Sequence, residues 1–337
     1  MTPAKWIARN LVFPLVYETG IHKLLYKDGR RGMVLMYHGV NNDGGLRYNG
    51  RHISETRFDR HLEYLKKNFR IVSLDTMFKA YRSGQPFSGD TIAITFDDGF
   101  ENNFTHAFPL IKKHQVPVTF FVSSVCLEEE NAILWPDLCD VLRVESGRTI
   151  SHGGYHFTPY GYDWRDNEKH QYLSDYIKHM GYDSRTNFID FVREKFSFDE
   201  LLTRVDKTQW KLLNRAQIKE MADCEYVEIA SHAHHHYNLA MIPPEDAFSE
   251  ITKSREILEE AINKKVVSIA FPDGNYDERI KKYCLDAGYE NLCAVRYLLP
   301  GDSEDQSILP RHGISSTTNY YSNIIHLYKS FSKDGFS

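Results

Sequence analysis

Two short segments hold residue types that could carry out a hydrolysis. The first, Ile94–Thr95–Phe96–Asp97–Asp98–Gly99–Phe100, is an apolar run that ends in adjacent carboxylates and a glycine. Neighbouring side chains at a strand end can point in different directions, so one carboxylate can bind a cation while the other faces a substrate. Asp-Gly is also ordinary turn chemistry, and alone this segment fits a turn with a helix cap equally well. The second segment, 229–239, is another apolar run, and it leads into His232, His234, His235 and His236. Imidazole is a common zinc ligand, and two of them four residues apart can share an ion. Spacing alone does not say which two, and a solvated polar loop is the competing account. Together the segments offer two histidines, one aspartate and a spare carboxylate. Three protein ligands with open positions make a catalytic rather than a structural metal site. Such an ion polarises a carbonyl and acidifies water, and the spare aspartate would act as general base.

Elements must exist that bring these segments together. Short apolar runs rich in Val, Ile, Phe or Tyr recur at 33–40, 71–74, 91–96, 117–123, 226–231, 266–271 and 292–295, and they read as buried strands. Amphipathic helix patterns lie between them at 54–68, 104–114, 215–222, 244–263 and 277–287, the first with Ser54 as its cap and the last stopped by Gly288. Alternating strands and helices predict a parallel sheet with helices outside, and seven strands favour a closed barrel over a doubly wound sheet. The alternation breaks at 126–214, which carries Trp135, Trp164, Trp210 and many tyrosines. This reads as a large insertion between two barrel strands, on the face where active sites form. Exposed aromatics there would suit stacking on sugar rings, and buried ones would be its own core; both remain open. The resulting division is an N-terminal helical segment (1–31), barrel parts at 32–125 and 215–316 around the insertion, and a C-terminal helix or tail (317–337).

Thr95–Phe96–Asp97–Asp98–Gly99 and Ser231–His232–x–x–x–His236–x–x–Leu239 resemble the first two motifs of the polysaccharide deacetylase family, carbohydrate esterase family 4. The resemblance covers most of residues 33–315 apart from the insertion. It implies an α/β fold, a distorted (β/α)7 TIM-like barrel, with a divalent metal, usually zinc, and hydrolysis of N-acetyl groups on amino sugars. Carried over residue by residue, it makes Asp97 the general base and Asp98, His232 and His236 the metal ligands. His234 and His235 fall where the family uses no ligand. Ile269–Ala270–Phe271–Pro272–Asp273–Gly274 is similar to the family's groove motif and implies that the Asp273 backbone N–H faces the oxyanion. Ala270 and Phe271 offer no arginine there, which leaves the orientation of Asp97 to be explained, and Arg311 is the candidate. Tyr37–His38 resembles the N-terminal pair of the poly-N-acetylglucosamine deacetylase branch and implies His38 as the general acid, with His312 in reserve.

Bulk composition is consistent with this. The 337 residues are 42% hydrophobic and 26% charged with a net charge of −5, the signs interspersed, which argues against a nucleic-acid partner. The five cysteines, odd in number and without a CxxC pair, suggest neither a disulfide framework nor a zinc ribbon. In the first 27 residues, charged side chains interrupt the apolar ones, so neither a signal peptide nor a membrane span is expected. That segment would pack on the protein's own body or lie on a membrane surface. The expectation is therefore a cytoplasmic, metal-dependent deacetylase of an amino sugar in a glycan or its precursor, with peripheral contact to the inner membrane in play. The rival readings are a deformylase or O-deacetylase of a lipid-linked sugar, and a non-catalytic glycan-binding protein.

Overall fold

The computed structural model describes residues 6–25, 30–42, 47, 48 and 50–336. Seven parallel strands close into a barrel: β1 (Gly32–Tyr37), β2 (Thr91–Phe96), β3 (Val118–Val122), β4 (Val227–Ser231), β5 (Ser268–Ala270), β6 (Asn291–Ala294) and β7 (Ile308–Gly313). Neighbours pair in chain order, and β1 closes the ring with Val34 opposite Arg311 of β7 on one edge and Ala93 of β2 on the other. Helices lie outside, as the distorted (β/α)7 barrel requires.

Side chains alternate along each strand, so residues two apart share a face. Val34, Ala93, Phe121, Ala230, Ala270, Cys293 and Leu309, one from each strand, belong to one buried cluster that fills the barrel. Two residues further along the same faces stand Met36, Thr95, Ser123, His232 and Arg311, and four further stand His38 and Asp97. Thus the interior face, followed to the carboxyl end, delivers the polar residues to one place.

The strand expected at 71–74 is corrected. Only Arg70–Ile71 is extended, beside the start of β2, because Ser73 accepts a hydrogen bond from the Thr76 N–H and caps a helix over Leu74–Arg82. The seventh barrel strand is instead Ile308–Gly313, where Pro310 and two charged or polar neighbours mask the pattern. The Ser54 cap forms as expected, its hydroxyl accepting from the Arg57 N–H at 3.3 Å at the head of helix Glu55–Asn68. Ser54→Ala should lower unfolding free energy by about 1 kcal/mol in urea titrations; an unchanged midpoint would mean that water caps this end as well.

Residues 126–214 include an antiparallel sheet of Ile150–His152, Tyr155–Tyr160 and Asp163–Asp166, with helices Trp135–Glu145, Leu173–Lys178 and Tyr182–Phe196 among its other elements. Trp135, Phe157, Trp164, Phe188 and Trp210 form a second apolar cluster here. The tryptophans are therefore chiefly core, whereas Tyr160 and Tyr162 are exposed. All five cysteines are unpaired. No described helix is long and apolar enough to cross a membrane. Near the N-terminus, a π-helical stretch (Ala8–Val12) leads into helix Phe13–Glu18, which packs against helix Tyr320–Asp334, with Phe13 edge-on to His326 and the Tyr17 and Tyr320 hydroxyls 3.1 Å apart.

Candidate metal centre and active site

At the end of β2 the chain turns through Asp98 and Gly99, both at positive φ (76° and 82°). A Cβ on Gly99 would lie 2.9 Å from Val122 Cγ1, so glycine is needed for both its conformation and its close approach to β3. The turn aims Asp97 and Asp98 differently. Asp97 receives Arg311 Nη1 and Nη2 at 2.5 and 2.8 Å, a buried bidentate pair. Asp98 Oδ1 instead faces His232 Nε2 at 3.5 Å and His236 Nε2 at 3.3 Å.

The loop after β4 also turns sharply, with Ala233 and His236 at φ 58° and 59°. His232 Nδ1 lies 2.9 Å from the Ala270 carbonyl oxygen, which accepts its proton and turns Nε2 towards Asp98. The four histidines divide cleanly. His234 Nδ1 sits 2.8 Å from Ser124 Oγ, and His235 Nδ1 sits 2.6 Å from Glu250 Oε1, so both are held by neighbouring side chains. His232 and His236 remain, and with Asp98 their ligand atoms all lie within 4.8 Å of one another. Asp98 Oδ1 is buried without a protein hydrogen bond, which is how a carboxylate oxygen waiting for a cation would be found. This donor set, two imidazoles and a carboxylate, suits a divalent ion such as zinc.

Charges fit the same picture. Burial raises the Asp97 carboxyl, but the charges of Arg311 and His232 outweigh it and hold the group below the usual carboxylate range. Burial likewise opposes ionisation of Asp98, yet the neighbouring His232 and His236 imidazoles hold it well below that range. Burial lowers His236, and the adjacent Asp98 carboxylate more than restores it, for a net rise. The two carboxylates are thus ionised at neutral pH. Their contribution to stability is complete above their unfolded value of about 4 and is lost as pH falls through the lower folded values.

Asp97, Asp98, His232 and His236 line a cavity of about 340 Å³ at the carboxyl end of the barrel, together with His38 and Asp273. His38 follows β1 and is half-buried; burial lowers its pKa, while Asp98 and Asp97 pull it back up. Asp273 sits at φ 59° in the turn Pro272–Gly274, with its Oδ1 3.5 Å from Lys178 Nζ. His312 is not among the residues lining this cavity and borders another groove, with Arg31 and Tyr81.

Several lining residues escaped the sequence reading. Arg51 reaches Asp137 at 2.5 Å and Asp140 at 3.0 Å, tying the loop before His52–Ser54 to the insertion. Burial, opposed by Arg51, pushes Asp137 up to about 7 and Asp140 up to about 6. The spacing of Asp137 and Asp140, three apart on a helix, was a readable sign that both face one side. From 126–214 come also Trp135, Tyr162, Trp164, Ser174 and Lys178, so this region builds much of the cavity wall.

The family model for polysaccharide deacetylases matches residues 84–181 and 197–292, more than half of the chain. Among curated proteins, YxkH of Bacillus subtilis, assigned as a polysaccharide deacetylase, is 20% identical over 83% of this chain and 70% of its own. A poly-beta-1,6-N-acetyl-D-glucosamine N-deacetylase of Staphylococcus aureus is 28% identical over 79 residues, 23% of this chain and 27% of its own. Among solved structures, the Streptococcus pyogenes deacetylase PplD superposes with a TM-score of 0.58 at 14% identity, covering 89% of this chain and 98% of its own. IcaB from Ammonifex degensii does so with a TM-score of 0.57 at 17% identity, covering 90% and 98%. At these identities the structural likeness concerns the fold.

Proposed function

Since the chain belongs to the polysaccharide deacetylase family, we propose that it is a metal-dependent hydrolase that removes N-acetyl groups from an amino sugar in a polysaccharide or glycan precursor. The observation that carries this reading is the meeting of Asp98, His232 and His236 beside a carboxylate, Asp97, gripped by a buried arginine inside a cavity. A binding module has no need of a buried, ionised base next to a set of metal-ligating side chains. The Staphylococcus aureus relative, named for a poly-N-acetylglucosamine substrate, supports the N-acetyl amino sugar as substrate class.

Asp98, His232 and His236 would hold the ion, most simply zinc. When bound, it would polarise the acyl carbonyl and make water a better nucleophile at neutral pH. The protein's own groups do the rest. Asp97, kept ionised by Arg311, takes the proton of the attacking water. The backbone N–H of Asp273 stands to steady the charge that develops on the carbonyl oxygen. His38 delivers a proton to the departing amine. Burial favours its neutral form, and the nearby carboxylates raise its affinity for the proton it must pass on. The insertion's side of the cavity, with Tyr162, Trp164 and Lys178, would hold the sugar.

Elemental analysis should find about one divalent ion per chain, lost in His232→Ala and His236→Ala. Zinc-loaded protein should release acetate and a free amine from N-acetylglucosamine oligomers, and chelated protein should not. Release of formate from an N-formyl sugar in preference to acetate would replace this substrate assignment. A protein that refuses added zinc would sink the metal-dependent reading.

A further inference from the structure

The N-terminal segment is apolar on both sides. Its inner side, with Phe13 and Tyr17, packs on helix Tyr320–Asp334. Its outer side carries Ile7, Leu11 and Leu15 at four-residue steps, with Trp6 and Val12 alongside, and beyond Gly20 a separate short helix, Ile21–Leu25, exposes Ile21 and Leu24. All seven are exposed, Leu11 at 59%, Leu15 at 65% and Leu24 at 71%, and they make up most of the large exposed apolar side chains described. Scattered single apolar residues on a surface need no explanation, but a continuous stripe on one helix does.

Charge says what covers it. Residues 1–31 hold six Lys/Arg against two Asp/Glu in a chain whose net charge is −5. Two such positive segments would repel each other across a symmetric contact, whereas an anionic lipid surface complements both the stripe and its charge. Because no described helix can cross a bilayer, the fitting arrangement is a helix lying in the interface, apolar face down, with a tryptophan at its end.

The same segment adjoins the catalytic end. Arg9 Nη1 donates to the Thr317 carbonyl at 3.1 Å, and Asn319 Nδ2 donates to the Arg9 carbonyl at 2.7 Å. Ser316 N–H in turn donates to the Gly50 carbonyl at 3.3 Å, next to the cavity-lining Arg51. Residues 314–319 follow β7, so they stand at the end of the barrel where the cavity lies.

We propose that residues 6–24 form a docking surface for an anionic lipid bilayer that holds the cavity end of the barrel close to the membrane. Resting on the deacetylase reading, this makes an amino sugar carried on a lipid the substrate best placed to reach the site. The test is co-sedimentation of the full chain with vesicles of phosphatidylglycerol and phosphatidylcholine, beside phosphatidylcholine alone, for wild type and Leu11→Asp/Leu15→Asp. Both leucines face outward, so the variant should melt like wild type by circular dichroism. The expected result is wild type in the pellet with anionic vesicles, at least roughly tenfold weaker binding by the variant, and weakening with salt. Wild type left in the supernatant, or a variant that binds equally well, overturns the proposal. A wild-type dimer that the variant breaks, with no vesicle binding, overturns it in favour of a second copy. Hydrolysis of soluble N-acetylglucosamine oligomers should be equal in both proteins; its absence from both would count against the deacetylase reading and leave the vesicle result standing.

Discussion

Asp97→Asn is expected to lower kcat by about 10²- to 10⁴-fold while leaving the ion content and the fold unchanged. The amide is nearly isosteric with the carboxylate and still accepts from Arg311 through one oxygen, but it cannot take a proton from water. In barrier height the loss corresponds to about 3–5.5 kcal/mol. Neighbouring Asp98 is no substitute, because its free oxygen is turned towards His232 and His236. The measurement is steady-state hydrolysis of an N-acetylated oligosaccharide, with elemental analysis on the same samples. Turnover within a few-fold of wild type, at full ion occupancy, would remove Asp97 from the role of base.

The position of Asp97 shows how far residue pattern can be read. It stands four residues beyond Ala93 on β2, an even spacing, so it lies on the strand face that fills the barrel. His232 relates to Ala230 in the same way on β4, and Arg311 to Leu309 on β7. A strand's period of two therefore predicts which side chains enter the barrel once its end is known. What spacing could not decide was the choice among four histidines. The positive φ of Ala233 and His236 makes that decision by folding the loop so that His232 and His236 meet, while Ser124 and Glu250 take the other two. Ser124 lies 110 residues from His234 and Glu250 lies 15 from His235 on the next helix, and a positive φ at a residue other than glycine has no composition signal.

Longer-range features were harder to see. β7 was missed because Pro310 breaks the apolar run, and the run at 71–74 passed for a strand although Ser73 caps a helix there. Strand count survived only because one error offset the other. In the insertion, Trp135 and Trp164 are both core residues and cavity lining, a double use that no count of aromatics separates. Arg51 joins the insertion to the barrel through Asp137 and Asp140, some 86 and 89 residues away in the chain, and only the fold brings them together.

Arg311→Met should be the most destabilising single change at the site, by about 3–5 kcal/mol, because it strands a buried carboxylate without its partner. An exposed ion pair would cost only about 0–1 kcal/mol, so the size of the loss tests whether the pair is as enclosed as the structure makes it. Adding Asp97→Asn to Arg311→Met should recover much of the loss, since two neutral groups leave no uncompensated charge; such non-additivity is expected of residues in direct contact. The pH dependence has a definite sign. With Arg311 gone, only the pull of His232 and His38 opposes burial at Asp97, and its folded pKa is expected to rise above the unfolded value of about 4. The penalty in Arg311→Met therefore grows as pH rises from that value towards the raised one, so urea unfolding should show a smaller loss near pH 5 than near pH 8. By the same reasoning the acid limb of kcat/KM moves to higher pH in the variant, because the base must lose a proton it now holds more tightly. Arg311→Met with wild-type stability and an unmoved acid limb would mean that something other than this arginine keeps Asp97 ionised.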